Sequence, residues 1–204
     1  MKINMKFLLL IFCCWFAGNQ AVAQANISTG FRAGIAYNNL TGDDIANEES
    51  LIGFNGGLFL NYSISQRVSL QPELNLSVKG AKEVTINSFP FSKASVSFIQ
   101  VPVLLQLQSK QEWGKALYPF LSFGPAVNFN FIKDLEGEII EDVPGAYSVD
   151  QDVKDINYEA LFGAGVKIQE KYLIDLRYSY GLSDIFENGD VKSESIILSV
   201  GFIF

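Results

Sequence analysis

The chain has 204 residues, of which 49% are hydrophobic, and a formal net charge of −7 at pH 7. This acidity is a poor match to nucleic acid, whose phosphates attract Lys and Arg. The sequence contains no histidine, which excludes histidine-based acid–base catalysis, histidine metal ligands and a Ser-His-Asp triad. Both cysteines, Cys13 and Cys14, stand near the start of the chain, in a segment that we expect to be removed.

Residues 1–23 are predicted to be a cleavable signal peptide. Two lysines precede an apolar run at 7–16, and Ala-Val-Ala at 21–23 supplies the small residues of a cleavage site. The run is too short to be a membrane-spanning helix. Cleavage would remove two lysines and take the charge from −7 to −9. It would leave 24–204 as one β-barrel domain without cysteine, and therefore without a disulfide or a thiolate nucleophile.

Alternation of apolar and polar residues dominates the rest of the chain and predicts β-strands, whose side chains point to opposite faces in turn. The alternation is cleanest at 68–79, where it continues for the whole segment without an error. The eight predicted strands lie within 29–37, 54–64, 68–79, 97–108, 119–131, 158–168, 173–182 and 193–204. Most have about nine to thirteen residues, close to the 9–11 that a tilted strand needs to cross a bilayer.

The connections between these strands alternate strictly between short and long. Short ones are predicted after the second, fourth and sixth strands, at 65–67, 109–118 and 169–172. Long polar ones are predicted at 38–53, 80–96, 132–157 and 181–193. Outer-membrane barrels have this asymmetry, with short periplasmic turns and longer outer loops. We therefore predict an all-β fold: an eight-stranded antiparallel up-and-down transmembrane β-barrel in the outer membrane.

The predicted polar face is rich in Gly, Ser, Asn and Gln and carries few Lys and Glu for a surface that meets water. We therefore expect the apolar face to point outward into lipid, the reverse of a soluble lipocalin-like barrel. Aromatic residues near both ends of the apolar face are predicted to form two girdles at the membrane surfaces. They are Tyr37, Phe54, Tyr158 and Tyr180 near the long connections, and Tyr62, Tyr172 and Phe204 near the short turns.

The polar face carries seven charged residues that are predicted to point into the lumen. They are Arg32, Lys79, Lys167 and Arg177 against Glu73, Glu159 and Asp175. The interior of an eight-stranded barrel is only wide enough for packed side chains, and unpaired buried charge is unfavourable. Our hypothesis is that the charges at positions 32, 73, 175 and 177 form a network across the lumen.

Five segments resemble the small outer-membrane β-barrel proteins of Bacteroidota, often called porin-family or PorT-like barrels. They are "LQPELNLSVKGAK" (70–82), "FIQVPVLLQLQ" (98–108), "YPFLSFGPAVNF" (118–129), "LIDLRYSYGLSDI" (173–185) and "LSVGFIF" (198–204). The resemblance implies assembly by the outer-membrane insertion machinery, with the terminal strand and its Phe202 and Phe204 as the insertion signal. It implies no particular activity.

No residue pattern predicts a catalytic group, a metal site or a cofactor. The long connections at 42–50 and 133–155 are acidic, and clustered carboxylates suit calcium, but Lys154 stands where a calcium-binding loop needs a ligand. A solvated outer loop is the preferred interpretation. We expect a structural or interaction role, with outer-membrane lipid, the insertion machinery and an unidentified surface or periplasmic protein as partners. The alternatives are a narrow porin-like channel, a lipid-modifying enzyme and a soluble lipocalin-like binding barrel.

Overall fold

The computed structural model describes residues 26–42, 45–46, 49–86, 89–109, 116–136, 154–185 and 191–204. Nine strands lie in these ranges. They are β1 (Ile27–Thr41), β2 (Ile45–Ala46), β3 (Glu49–Ser63), β4 (Val68–Ile86), β5 (Phe89–Gln108), β6 (Leu117–Glu136), β7 (Ile156–Ile168), β8 (Tyr172–Gly181) and β9 (Lys192–Ile203). Among the described residues, no helix is long and apolar enough to cross a membrane.

Eight of the strands close into an antiparallel barrel, as the alternation predicts. Each long strand pairs with the next one along the chain, and β9 returns to pair with β1 from Gly30–Ile203 to Thr41–Lys192. The two-residue β2 pairs only with β4 and adds nothing to the wall of the barrel. Closure gives every wall strand a hydrogen-bonded neighbour on both sides, which suits a bilayer because the bilayer offers no water to exposed N–H and C=O groups.

The two faces of the wall differ in the way that the sequence predicts. On β8, Leu173, Asp175, Arg177 and Ser179 are buried in the lumen, whereas the residues between them are exposed. β4 alternates in the same way from Ser69 to Lys79. The apolar side chains therefore cover the outside of the barrel and the charged ones lie inside it. A soluble barrel would need the opposite arrangement.

The predicted long connection at 80–96 is wrong. β4 continues to Ile86 and β5 begins at Phe89, with backbone pairs as far out as Val84–Phe91 and Ile86–Phe89. The alternation of residue types fades before the hydrogen-bonded ladder ends. Backbone pairing can continue without alternation, since a segment that extends beyond the bilayer no longer needs one apolar face. The sequence pattern therefore predicts the membrane-crossing part of a strand and misses its extension.

The other long connections are shortened at their ends for the same reason. β1 reaches Thr41 and β3 begins at Glu49, so most of the predicted 38–53 connection is strand. β6 continues to Glu136. The signal peptide and the acidic segment 137–153 lie outside the described residues.

Candidate functional site

The middle of the lumen holds four charged side chains, Arg32, Glu73, Asp175 and Arg177, none of them more than 4% exposed. They are called the central cluster here. Arg177 donates from Nη1 and Nη2 to the two carboxylate oxygens of Glu73, each at 2.8 Å, and from Nε to Asp175 Oδ2 at 2.5 Å. Arg32 donates to Glu73 Oε2 at 3.2 Å and to Asp175 Oδ1 at 3.4 Å. The structure thus brings together the four residues of the network hypothesis.

The central cluster is formally neutral, because two guanidinium groups face two carboxylates. Glu73 accepts further hydrogen bonds from Gln71 Nε2 and Asn75 Nδ2, both at 2.8 Å. Arg32 also donates to Ser199 Oγ. Charge-assisted, bidentate pairing of arginine with carboxylate offsets the free-energy cost of removing these ions from water.

Each of the two arginines is paired with a glycine of a neighbouring strand, and the glycine at 163 leaves room for the side chain of Arg177. Arg32 is paired with Gly57 across β1 and β3, and Arg177 with Gly163 across β8 and β7. A Cβ atom at Gly163 would lie 3.0 Å from Arg177 Cγ and 2.7 Å from Ser122 Oγ. The sequence shows glycines on the polar face, but only the register shows that they stand opposite the arginines.

A second cluster joins Lys79 to Glu159. Lys79 Nζ lies 2.5 and 2.6 Å from the two carboxylate oxygens of Glu159. The same carboxylate accepts hydrogen bonds from Gln100 Nε2 at 2.9 Å, Ser179 Oγ at 2.7 Å and Ser193 Oγ at 3.0 Å. This pair is also formally neutral and fully buried.

Lys167, the seventh charged residue predicted for the lumen, lies apart from both clusters. It stands one residue before the end of β7, and its Nζ donates to Gln108 Oε1 at 3.0 Å and lies 5.8 Å from the centre of the Phe120 ring. It borders a cavity of about 1020 Å³ at the short-turn end of the barrel, called the short-turn cavity here. Ser28, Asn61, Arg67, Gln108 and Glu170 also line this cavity.

Hydrogen bonds connect the floor of the short-turn cavity to the central cluster. Asn61 Nδ2 donates to Gln71 Oε1 at 2.9 Å and to Gln106 Oε1 at 3.2 Å. Gln71 in turn donates to Glu73. The lumen below the cavity is therefore filled by connected amide and charged side chains.

Asn128 and Asn157 are paired across β6 and β7, and both residues are at most 3% exposed. Neither amide has a hydrogen-bond partner among the residues that the structure describes. The alternation places Asn128 in the lumen but does not show which amides are satisfied.

The lumen also contains an apolar patch of Leu104, Ala126 and Leu161. The sequence reading missed Leu104 and Leu161, because both interrupt the polar face of their strands.

The residues predicted for the girdles lie on the outside of the barrel. Tyr37, Phe54, Tyr62, Tyr158, Tyr172 and Tyr180 are between 40% and 53% exposed. At the end of the chain, Phe202 contacts the rings of Phe31, Tyr172 and Phe204 at centroid distances of 5.5–6.3 Å. The girdle role and the insertion-signal role remain predictions.

Within the ranges that the structure describes, no three Asp, Glu, His or Cys side chains are grouped as a metal site would require. The acidic stretches on which the calcium interpretation depends lie largely outside those ranges.

Residues 20–187 match the family described as "Outer membrane protein beta-barrel domain". The match covers most of the chain, and the protein belongs to this family of outer-membrane β-barrels. It is therefore an outer-membrane protein, and the soluble lipocalin-like alternative does not apply. No curated protein matches the sequence.

Solved structures with a similar fold include the outer membrane enzyme PagL, with a TM-score of 0.52, 13% identity, and coverage of 84% of this chain and 97% of that one. OprG from Pseudomonas aeruginosa has a TM-score of 0.47 and 14% identity, with coverage of 88% and 97%. Ail of Yersinia pestis, in complex with the heparin analogue sucrose octasulfate, has a TM-score of 0.47 and 14% identity, with coverage of 88% of this chain and 99% of that one. At these identities the similarity concerns the fold alone.

Proposed function

We propose that the protein is a closed, non-catalytic outer-membrane barrel that acts through its long-connection end, and that its lumen does not conduct ions or solutes. The observation that carries the proposal is the central cluster. Its two arginines and two carboxylates meet across the lumen at 2.5–3.4 Å, and every one of the four side chains is buried. An eight-stranded barrel has no spare width around such a cluster.

Two further features support the closed lumen. The Lys79–Glu159 pair forms a second neutral barrier, and the buried rings of Phe59 and Phe98 occupy the interior as well. An ion entering the lumen would have to separate neutral, mutually hydrogen-bonded pairs.

The non-catalytic part of the proposal rests on the sequence, which has no histidine and has cysteine only within residues 1–23.

Planar-bilayer recording of the refolded barrel tests the proposal directly. The wild type should insert without producing discrete conductance steps. Folding is checked independently by the shift in gel mobility on heating, and a lipid-facing control, Leu74→Ala, should behave like the wild type because Leu74 is 56% exposed on the outer wall. Regular open steps from the wild type would favour the narrow-channel alternative.

The interaction part of the proposal concerns the acidic connections. Residues 42–50 carry Asp43, Asp44, Glu48 and Glu49, and 133–155 carry eight further acids. With the short turns in the periplasm, these stretches would face outward and would recognise a partner with basic groups. Binding of intact cells to a basic partner surface should fall when these acids are changed to Asn and Gln.

The preferred interpretation of the acidic connections as solvated loops predicts that titration of the protein with calcium releases no heat.

The resemblance to PorT-like barrels of Bacteroidota supports two narrower proposals. The first is that the protein belongs to that branch of outer-membrane barrels, on the strength of the five matching segments. The second is that the insertion machinery recognises its terminal strand through Phe202 and Phe204. The expected partners of the barrel wall are outer-membrane lipids.

A further inference from the structure

Lys167 differs from the other cations of the lumen. Arg32, Lys79 and Arg177 each form an ion pair with a buried carboxylate. For Lys167, the described residues supply no carboxylate within 4 Å of Nζ. The lumen face carries four cations and three anions, and Lys167 is the excess cation.

The position of Lys167 explains how this unpaired charge is tolerated. Its ammonium group has three N–H donors, of which one goes to Gln108 Oε1, and the face of Phe120 contributes a cation–π contact. Lys167 itself lines the short-turn cavity, which is about 1020 Å³ in volume. Ligand pockets commonly have volumes of roughly 300–1,000 Å³.

The walls of the cavity are suited to a peptide. Asn26, Gln66 and Gln108 present amide groups, which can both donate to and accept from a peptide backbone. Arg67, on the exposed turn between β3 and β4, adds a second cation at the rim. Glu170 also lines the cavity and interacts electrostatically with Lys167, so its carboxylate competes there with the carboxylate of a ligand.

We propose that the short-turn cavity binds the C-terminal carboxylate end of a short peptide, with the carboxylate on Lys167 and the peptide backbone on the amide walls. With the short turns in the periplasm, the ligand would reach the barrel from the periplasmic side. The binding site lies on the short-turn side of the central cluster, so it does not depend on whether the lumen conducts.

The test is a titration of the full barrel, refolded in detergent micelles, with tri-alanine as the free acid. Binding is followed by chemical-shift changes of isotope-labelled protein. Tri-alanine should bind saturably at millimolar concentration, and its C-terminal amide should bind at least about tenfold more weakly, because it lacks the charge. Acetate alone should bind far more weakly than tri-alanine, because it cannot use the amide walls.

Four variants locate the site. Lys167→Gln should weaken binding of tri-alanine by about tenfold, and Glu170→Gln should strengthen it by removing the opposing charge. Lys154→Gln is the matched control. Lys154 lies beside Asp184, just before the start of β7, whereas Lys167 and the cavity are at the other end of that strand. Should Lys167→Gln fail to fold, Arg67→Gln on the exposed turn replaces it and should weaken binding several-fold.

Three results would overturn the proposal: no saturable binding up to about 10 mM, equal affinity for the free acid and the amide, or equal affinity for acetate and tri-alanine. Unchanged affinity in the folded Lys167→Gln barrel, or in Arg67→Gln where that variant replaces it, would also overturn it.

Discussion

Arg177 and Glu73 face each other across the lumen and form two parallel N–H···O bonds of 2.8 Å. The residues are 104 positions apart in the chain, on β8 and β4, two strands that are not neighbours in the sheet. The contact therefore crosses the interior of the barrel, and it holds opposite walls together in addition to the hydrogen bonds of the sheet.

Glu73→Ala and Arg177→Ala should each lower the free energy of unfolding by about 3–5 kcal/mol, because each leaves an uncompensated buried charge. The double variant should lose clearly less than the sum of the two. Urea unfolding of the barrel in lipid vesicles measures all three.

The control for this cycle is Glu159→Ala combined with Arg177→Ala. These residues belong to different clusters, and their effects should add to within about 0.5 kcal/mol. Additive losses for the Glu73 and Arg177 pair would show that the two side chains do not interact.

Gly163→Ala should destabilise the barrel by about 1–3 kcal/mol, since the new methyl group would crowd Arg177 and Ser122. Ala164→Val provides the matched control on the next residue. Its side chain points outward, so the change should stay within about 0.5 kcal/mol. Thermal unfolding followed by circular dichroism compares the two, and an unaffected Gly163→Ala would contradict the packing of Arg177 against β7.

Two asparagines in the lumen should respond differently to replacement by leucine. Asn61 donates to Ser69, Gln71 and Gln106, so Asn61→Leu removes a donor from several buried acceptors and should cost about 1–3 kcal/mol. The described part of the chain offers the side chain of Asn128 no hydrogen-bond partner, so Asn128→Leu should be neutral or stabilising. Equal losses of unfolding free energy in the two variants would mean that Asn128 is satisfied in the membrane by water.

Phe204→Ala should reduce the amount of folded barrel recovered from cell membranes, because the terminal aromatic residue is the predicted insertion signal. The same variant should fold normally from urea into detergent micelles, where no insertion machinery takes part. Phe123→Ala, at another outward-facing aromatic residue, is the control and should reach the membrane like the wild type. Equal recovery of Phe204→Ala and the wild type from cells would rule out the signal.

The sequence predicts the barrel well because a bilayer imposes a strict rule on each crossing strand. The uninterrupted alternation in β4 and β8 fixes which residues face the lipid and which face the lumen. The lumen positions of Glu73, Asp175 and Arg177 follow from it. The rule ends with the bilayer, which is why the pairing of Val84 with Phe91 was not predicted.

Alternation gives the face of a residue but not its partner. It places Lys79, Lys167 and Glu159 in the lumen without showing that Lys79 binds Glu159 and that Lys167 stands apart. The partners depend on how far each strand is shifted along its neighbours and on the closure of β1 against β9. Both are properties of the whole barrel, and the residue types of a single strand do not contain them.

The arrangement of the two faces is tested most directly by lipid-phase quenching of single-cysteine fluorophores. Labels at Leu74, Leu76, Ile174 and Leu176 should be strongly quenched by brominated acyl chains, whereas labels at Ser69, Ser77, Leu173 and Ser179 should be protected. The predicted result is quenching that alternates along β4 and β8, strong at the first four positions and weak at the other four. Strong quenching at the second set instead, or equal quenching at all eight positions, would contradict a barrel with its apolar face in lipid and its charges enclosed.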